Sequence, residues 1–245
     1  MPIKAVIFDY IGTLVNCRGY NMDASRKTLY NALVAEGFEI EEDEFLAAYI
    51  VAHEKYRKIR YEQFREVTNA VWVSEALCNL GFKVAPKDTR IKAALNIFFQ
   101  EFIDTFELRD GAKKLLKQTA AQTKVGLISN FTYAPVIHSS LRKIHIHPYF
   151  NAIVVSEENG WRKPSPHIFQ DALKHLQIEA HEAVFIGDSP LEDIKGAKEA
   201  GLKTVFVTSQ FNSQKDLQKS KQEPDYTAKD LSTISMSLNQ ILSSK

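Results

Sequence analysis

Carboxylate, hydroxyl and amide side chains follow several short apolar segments of this sequence. Asp9, Ser129, Asn130 and Asp188 each stand at or directly after such a segment, and Lys163 stands just before the proline-rich start of a predicted helix. In an open parallel sheet, ligands bind beyond the carboxyl ends of the strands, so these side chains are expected to share one crevice.

Two carboxylates in one crevice repel each other and raise each other's pKa unless a cation lies between them. Mg²⁺ would accept Asp9 and Asp188 as ligands while binding the phosphate oxygens of a substrate. The Ser129 hydroxyl, backbone N–H groups at the following helix start and the Lys163 ammonium would surround an anion. This combination indicates phosphoryl-transfer chemistry with Asp9 as the nucleophile.

The segments that must position these residues alternate between strand and helix character. Predicted strands cover 3–8, 125–129, 152–155, 183–187 and 204–207, and predicted helices cover 110–119, 134–142, 166–176, 191–200 and 231–242. This alternation predicts βαβ crossovers and a parallel sheet with helices on both faces. The polar stretch at 209–222 is interpreted as a surface connection.

Residues 22–106 differ, because helix formers dominate there and apolar residues recur at intervals of three and four. This block is predicted to be all helical, with breaks near Gly37, Gly81 and Pro86. The predicted fold class is therefore α/β, a Rossmann-like doubly wound parallel sheet with an inserted all-helical domain. The predicted core is discontinuous, at 1–16 and 108–245, and the helical domain covers 17–107.

Four segments, taken in order, resemble the motifs of the haloacid dehalogenase superfamily of hydrolases. They are VIFDYIGTL at 6–14, ISN at 128–130, KPSPHIF at 163–169 and GDSPLEDIKGAKEAG at 187–201. The run SEENGWRKP at 156–164 further resembles the haloacid dehalogenase-like hydrolase domain-containing proteins, a branch whose helical cap is inserted after the first motif. The resemblance implies a cap that closes over a site on the sheet.

The resemblance also implies a role for each matching residue. Asp9 would be the nucleophile that forms an aspartyl-phosphate, with Thr13 orienting the site. Ser129 and Lys163 would hold the transferring phosphoryl group, and Asn130 would bind substrate beside them.

A Mg²⁺ ion is implied by the same resemblance. Asp9, Asp188 and the backbone carbonyl of Ile11 would bind the ion, and Asp193 would support them.

Ile11 departs from the phosphatase pattern, which has a second aspartate at this position as general acid and base. An isoleucine cannot transfer a proton, and general acid–base catalysis is typically worth ~10² to 10⁴ in rate. Slow turnover, a leaving group of low pKa or a replacement donor is expected, with Tyr20, Arg60 and Tyr61 as candidates for the donor. The basic, aromatic segment 53–61 that contains two of them is interpreted as a solvated helix face.

Two alternatives stay open. A metal-independent 2-haloacid dehalogenase also lacks the second aspartate, although Ile11, Asp188 and Phe169 all depart from its pattern. A catalytically weak phosphate-sensing or partner-binding protein would keep the fold after losing the acid at position 11.

Composition limits the classes of partner. Lys plus Arg is 31 and Asp plus Glu is 30, a net charge of +1, which argues against nucleic acid or an anionic membrane as partners. Cys17 and Cys78 are the only cysteines and lack zinc-site spacing, which favours a reducing, cytoplasmic compartment. The expected partner is a small phosphorylated molecule, and the oligomeric state is left open.

Overall fold

Six parallel strands form the central sheet. The computed structural model describes residues 2–19 and 21–243, and its strands are β1 (Ala5–Phe8), β2 (Val15–Cys17), β3 (Phe106–Leu108), β4 (Lys124–Ser129), β5 (Ala152–Val155), β6 (Ala183–Gly187), β7 (Lys203–Val207) and β8 (Tyr226–Ala228). The sheet order is β5-β4-β1-β6-β7-β8, with every neighbouring pair parallel. The predicted α/β fold is confirmed.

Eleven α-helices occur in the described part of the chain. They are α1 (Met22–Ala35), α2 (Glu42–Glu62), α3 (Asn69–Asn79), α4 (Thr89–Asp104), α5 (Ala112–Ala120), α6 (Ala134–Lys143), α7 (Ser156–Asn159), α8 (Pro166–Leu176), α9 (Gly196–Glu199), α10 (Gln214–Ser220) and α11 (Leu231–Ser243). Short 3₁₀ turns cover His147–Tyr149 and Ala180–Glu182, and a π-helix at Pro190–Lys195 leads into α9. None of these helices is long and apolar enough to cross a membrane.

Side chains of β1 alternate between two apolar layers. Val6 and Phe8 are buried in the layer that contains α5, α6 and α11, whereas Ala5 and Ile7 are buried in the layer of α8 and α9. A strand with period-two side chains and apolar residues on both faces must be covered on both sides, as parallel sheets are. The sheet is therefore doubly wound, and β1 lies at its centre.

The helical insertion, α1 to α4, lies in sequence between β2 and β3. Within it α1 packs against α4 and α2 packs against α3. The two strands that flank it pair antiparallel, with Asn16 opposite Glu107. The predicted boundaries at 16/17 and 107/108 thus fall within this two-stranded ribbon, and the division into two domains stays a prediction.

Three local predictions differ from the structure. The stretch 209–222 contains α10, and β8 follows it as an unpredicted edge strand. The helix predicted from residue 191 begins as a π-helix. The segment 53–61 is only partly a solvated face, because the side chain of Arg60 is mostly buried against Glu66.

Candidate active site

Asp9 follows β1 at the carboxyl edge of the sheet. Its backbone N–H donates to Ile186 O at 2.9 Å, which continues the pairing of β1 with β6. The side chain is only 7 % exposed. Its Oδ1 lies 2.6 Å from Lys163 Nζ, whereas Oδ2 has no hydrogen-bond partner among the residues that the structure describes. One oxygen of Asp9 is therefore held and the other is unpaired.

Lys163 is buried and lies between two carboxylates. Its ammonium contacts Asp9 Oδ1 and lies 2.7 Å from Asp193 Oδ1, and it also donates to Ile128 O at 3.2 Å. Burial by itself would lower the pKa of Lys163, but Asp193 and Asp9 outweigh it and raise that pKa. The lysine is therefore a fixed positive charge.

Asn130 holds the backbone of Lys163 in place. Its Oδ1 accepts the Lys163 N–H at 2.8 Å, and its Nδ2 donates to Lys163 O at 2.9 Å and to Glu192 Oε2 at 3.0 Å. Both ends of the amide are thus engaged within the protein. This geometry favours a positioning role for Asn130 over the direct substrate contact predicted from the sequence.

Asp188 follows β6 and is held by hydroxyl and amide groups. Thr13 Oγ1 donates to its Oδ1 at 3.3 Å, and Ser209 Oγ and Asn212 Nδ2 donate to its Oδ2 at 2.6 and 3.0 Å. Burial, together with the charge of Asp9, raises the pKa of Asp188 to about 6. The hydrogen bonds oppose this shift, because they favour the charged form.

Gly12 allows the turn after Asp9 to approach Asp188. Its φ is +98°, and a Cβ at this position would lie 2.7 Å from the Asp188 carboxylate oxygens. Any side chain would therefore be strained and would clash.

Asp193 lies in the π-helix and is fully buried. The Ser189 N–H donates to its Oδ2 at 2.8 Å, while its Oδ1 faces Lys163. Burial raises the pKa of Asp193, although the ammonium of Lys163 opposes the shift. Two buried carboxylates, Asp9 and Asp193, therefore contact a single ammonium, and that of Asp188 lies beside them.

The carboxylates of Asp9, Asp188 and Asp193 fit a hard divalent cation. One oxygen from each lies within 4.8 Å of the others, and Asp9 Oδ2 lacks a partner. Oxygen ligands of this type are those that Mg²⁺ prefers. The turn's hydrogen bonds run from Val15 N–H to Tyr10 O and from Gly12 N–H to Val15 O, so they do not use the Ile11 carbonyl that was predicted as a ligand.

Ser129 ends β4, the strand beside β1. The register pairs Phe8 with Leu127, so Ser129 and Asp9 leave the sheet at the same edge. Ser129 is buried, and the preceding carbonyl, Ile128 O, already contacts Lys163. The structure thus brings the predicted residues to one edge, where Lys163 contacts Asp9, Asp193 and Asn130, and Thr13 contacts Asp188.

Two of the candidate proton donors, Arg60 and Tyr61, line a pocket that also includes Lys163. Arg60 is ion-paired with Glu66 Oε1 at 2.8 Å, and Tyr61 is half exposed beside the Arg162 guanidinium. Tyr20 lies outside the described residues.

Cys17 is half-buried and burial raises its pKa to about 12, which argues against a reactive thiolate.

Sequence reasoning missed Ser209, Asn212 and Arg109. The first two follow β7, so the rule about strand ends that selected Asp9 and Asp188 could have found them. Arg109 donates to Gly12 O, to Thr13 O at 3.2 Å and to Thr208 O at 2.6 Å, which fixes the turn after Asp9. No local motif marks Arg109, because its partners are far away in sequence.

Glu66 joins the helical insertion to the sheet. One carboxylate oxygen accepts from Arg60, and the other accepts from Arg162 Nη1 at 2.9 Å and from the Ser156 hydroxyl. Backbone bonds from Glu66 N–H to Gly160 O and from Arg162 N–H to Phe64 O, both 3.0 Å, flank this contact. We call Arg60, Glu66 and Arg162 the Glu66 junction; it ends one residue before Lys163.

Sequence comparison finds relatives along most of the chain. The family model described as haloacid dehalogenase-like hydrolase matches residues 3–201. A glyceraldehyde 3-phosphate phosphatase of Methanopyrus kandleri is 29% identical over 209 residues, 84% of each chain. A haloacid dehalogenase-like hydrolase domain-containing protein 3 of Bos taurus is 32% identical over 104 residues, 42% of this chain and 41% of that protein.

Solved structures show the same fold. A 2-haloacid dehalogenase from Pseudomonas syringae superposes with a TM-score of 0.68 at 20% identity, covering 98% of this chain and 99% of the other. A haloacid dehalogenase-superfamily phosphatase from Thermococcus onnurineus gives 0.63 at 20% identity, covering 98% of both chains. The family match, which spans the residues of the carboxylate cluster, confirms the resemblance seen in the sequence: the chain belongs to the haloacid dehalogenase-like hydrolases and is a hydrolase.

Proposed function

We propose that this hydrolase is a Mg²⁺-dependent phosphohydrolase of small organic phosphates, acting through an aspartyl-phosphate on Asp9. The observation that carries the proposal is the state of the Asp9 carboxylate: Oδ1 is held by Lys163, and Oδ2 is unpaired within a cluster of buried carboxylates. A buried anionic oxygen without a partner is unfavourable unless a ligand or ion completes its surroundings.

Each residue of the site has a part in this reaction. An oxygen of Asp9 attacks phosphorus and the ester oxygen leaves, so the phosphoryl group passes to Asp9; water then attacks phosphorus and restores the carboxylate. The Lys163 ammonium, with the Ser129 hydroxyl, stabilises charge on the transferring group. Asn130, Thr13 and Arg109 act as positioning residues.

Mg²⁺ would be held by Asp9, Asp188 and the Ile11 carbonyl, with Asp193 in support, and would neutralise phosphate charge. The hydrogen bonds from Thr13, Ser209 and Asn212 fix the Asp188 carboxylate for such a ligand role. The close approach of the Gly12 backbone to the Asp188 carboxylate also restricts the position of that side chain.

Ile11 restricts the leaving group. Its side chain packs against the apolar core and offers no proton to the departing oxygen. Aryl and acyl phosphates, whose leaving groups need little protonation, are therefore expected to react faster than alkyl phosphates.

The names of the relatives support a small phosphorylated substrate, since three matches that each cover at least 84% of this chain are named glyceraldehyde 3-phosphate phosphatase. In this proposal residues 17–107 form a cap that excludes water over the site, and residues 1–16 and 108–245 form the catalytic core. The cytoplasmic setting expected from the cysteines belongs to the same proposal.

Ile11 is also the observation that keeps the 2-haloacid dehalogenase as a second candidate. In that reaction Asp9 would attack carbon and release halide without a metal. The phosphate-sensing alternative would bind phosphate esters without turnover.

The deciding experiment measures phosphate release from aryl, acyl and sugar phosphates in Mg²⁺ and in EDTA, for the wild type and Asp9→Asn. Turnover that needs Mg²⁺ and disappears in Asp9→Asn is expected. Halide release from a 2-haloacid in EDTA would instead establish the dehalogenase. Ligand-induced thermal stabilisation without any turnover would favour the sensing protein.

A further inference from the structure

A cavity of about 180 Å³ lies between the helical insertion and the loop that follows Ser129. Its walls from the insertion are largely aromatic, including Trp72 and Phe99, and Phe131 and Thr132 complete it from the sheet side. The space is several times the ~30 Å³ that one water molecule occupies in the liquid. It can therefore hold part of a small organic molecule.

Two buried polar atoms in this wall have no hydrogen-bond partner in the described structure. They are Trp72 Nε1, on a side chain 1 % exposed, and Asn69 Oδ1, on a residue 4 % exposed. Buried polar groups are nearly always hydrogen-bonded, because an unmade bond leaves the cost of desolvation unmet. Both residues contribute to the lining of the cavity, so a ligand there is placed to supply the missing partners.

The lining of the cavity is cationic. Arg26 and Arg60 supply its positive charge, and no described lining residue is a carboxylate. Arg60 meets Glu66 through Nε, so that bond leaves the terminal guanidinium nitrogens uncommitted, and its guanidinium lies 5.6 Å from the Trp72 ring centroid. Arg26 Nη1 pairs with the exposed Asp23 at 3.1 Å, and Arg26 Nη2 donates to Met22 Sδ at 3.3 Å.

The position of the cavity connects it to the proposed reaction. Phe131 and Thr132 follow Ser129 and Asn130 directly in the chain, and Arg60 reaches Arg162 through Glu66. Arg162 immediately precedes Lys163. The cavity is therefore lined by residues that adjoin the segments carrying Ser129 and Lys163.

We infer that the cavity is the subsite for a carboxylate at the far end of the substrate, which makes the preferred substrate class the phosphorylated hydroxy acids. The inference rests on the proposed phosphohydrolase activity. A carboxylate accepts the Trp72 N–H and faces Arg60 and Arg26, while a neighbouring hydroxyl donates to Asn69 Oδ1. Charge-assisted bonds of this kind discriminate against a neutral group of the same size.

The test compares two probes with the same three-carbon skeleton, 3-phosphoglycerate and glycerol 3-phosphate, which differ in having a carboxylate or a hydroxymethyl group. Titration calorimetry in Mg²⁺ uses Asp9→Asn, which prevents turnover, combined with Trp161→Phe, which leaves Trp72 as the only tryptophan. We expect 3-phosphoglycerate to bind about tenfold more tightly. Binding should also change the fluorescence of Trp72.

Substitutions of residues that line the cavity test whether the preference for 3-phosphoglycerate arises there. Arg26→Gln should reduce the preference several-fold, and the isosteric Asn69→Asp should abolish it by placing a negative charge against the ligand. Lys58→Gln, which removes an exposed charge from the same helix as Arg60, should leave it unchanged. Circular dichroism and urea unfolding of each variant confirm that the fold is retained.

Equal affinities for the two probes, an unchanged Trp72 signal, or a preference that survives Asn69→Asp would overturn the inference. Hydrolysis of both probes by the wild type at equal kcat/KM would overturn the subsite while leaving the phosphohydrolase standing. Absence of both binding and hydrolysis of every phosphate tested would remove the proposed function together with the subsite.

Discussion

The carboxylate cluster and the cavity in the helical insertion are built in opposite ways. In the cluster, Asp9, Asp188 and Asp193 lie together and the Lys163 ammonium contacts the first and the third, so negative charge is in excess. In the cavity, Arg26 and Arg60 line an aromatic wall in which no described carboxylate takes part. Each region contains buried polar atoms without partners, at Asp9 in the first and at Trp72 and Asn69 in the second.

The difference assigns a separate task to each region. Excess negative charge suits a metal ion and the chemistry at phosphorus, whereas excess positive charge and aromatic surface suit recognition of an organic anion. The Glu66 junction connects the two regions, because Arg60 lines the cavity and Arg162 adjoins Lys163. Substitutions in one region should therefore change quantities that substitutions in the other leave alone.

Lys163→Met should have the largest effect. It removes the charge that balances Asp9 and Asp193, so kcat/KM for an aryl phosphate should fall by roughly 10³ or more, and the free energy of unfolding should fall by about 3–5 kcal/mol. Steady-state kinetics and urea unfolding measure the two losses. Lys174→Met, which removes an exposed lysine from α8, should change neither the activity nor the stability. If Lys163→Met kept its activity, the carboxylate cluster would not be the site of the reaction.

Ile11→Asp should increase the rate at which alkyl phosphates are hydrolysed. A carboxyl group at this position can protonate the leaving oxygen, so kcat for alkyl phosphates should rise by roughly 10² or more, with a smaller rise for aryl phosphates. Ile11→Asn, whose side chain has the shape of aspartate but no acidic group, should give no such increase in rate. If Ile11→Asp left the alkyl-to-aryl ratio unchanged, leaving-group protonation would not be what this site lacks.

How far the sequence predicts each region follows from where its residues lie. Asp9, Ser129 and Asp188 each end an apolar β-rich segment, and the geometry of parallel sheets brings such ends together. The cluster and the parallel sheet that positions it were therefore accessible from local patterns. Ser209 and Asn212 lie after β7 and obey the same rule, but the polar stretch around them hides the short helix α10.

The cavity could not be predicted in this way. Arg60 and His53 stand in a segment rich in charge, which is typical of a solvated face, and only the tertiary contact with Glu66 buries Arg60. Trp72 and Asn69 fit the apolar and capping patterns of an ordinary helix start. Their unpaired polar atoms become visible only when the neighbouring helices and the loop at Phe131 are in place.

Glu66→Gln tests the connection between the two regions. It keeps the shape of the side chain but removes the negative charge between Arg60 and Arg162. The buried guanidinium of Arg60 then loses its counter-charge, and that of Arg162 keeps only the 3.5 Å contact with Glu192. The free energy of unfolding should fall by about 3 kcal/mol in urea denaturation. Glu62→Gln, four residues earlier and exposed, is the matched control, and equal effects of the two substitutions would show that the junction contributes no stability.

The smallest expected effect concerns Asp188 and the pH dependence of the free energy of unfolding in EDTA. Because its folded pKa is about 6 and its ordinary value is 3.8, the folded state binds the extra proton between these values. The stabilising contribution of protonated Asp188 is complete below about pH 4 and is lost as the pH rises through about 6, by at most about 3 kcal/mol. The wild type minus Asp188→Asn difference in free energy of unfolding should therefore fall across this range.

Mg²⁺ should reverse that trend, because a bound cation favours the ionised carboxylate and stabilises the folded state by mass action. Asp216→Asn is the control: it removes an exposed capping carboxylate whose pKa is lowered below 3.8 by hydrogen bonds from Ser213. Its contribution is lost only below about pH 4, so its difference should stay nearly flat from pH 4 to 8. Urea denaturation from pH 4 to 8, with and without Mg²⁺, measures all three proteins. The difference in free energy of unfolding between the wild type and Asp188→Asn could instead stay constant with pH in EDTA. That result would show that the cluster carries no excess negative charge, and the cluster and the cavity would then not differ in the way argued above.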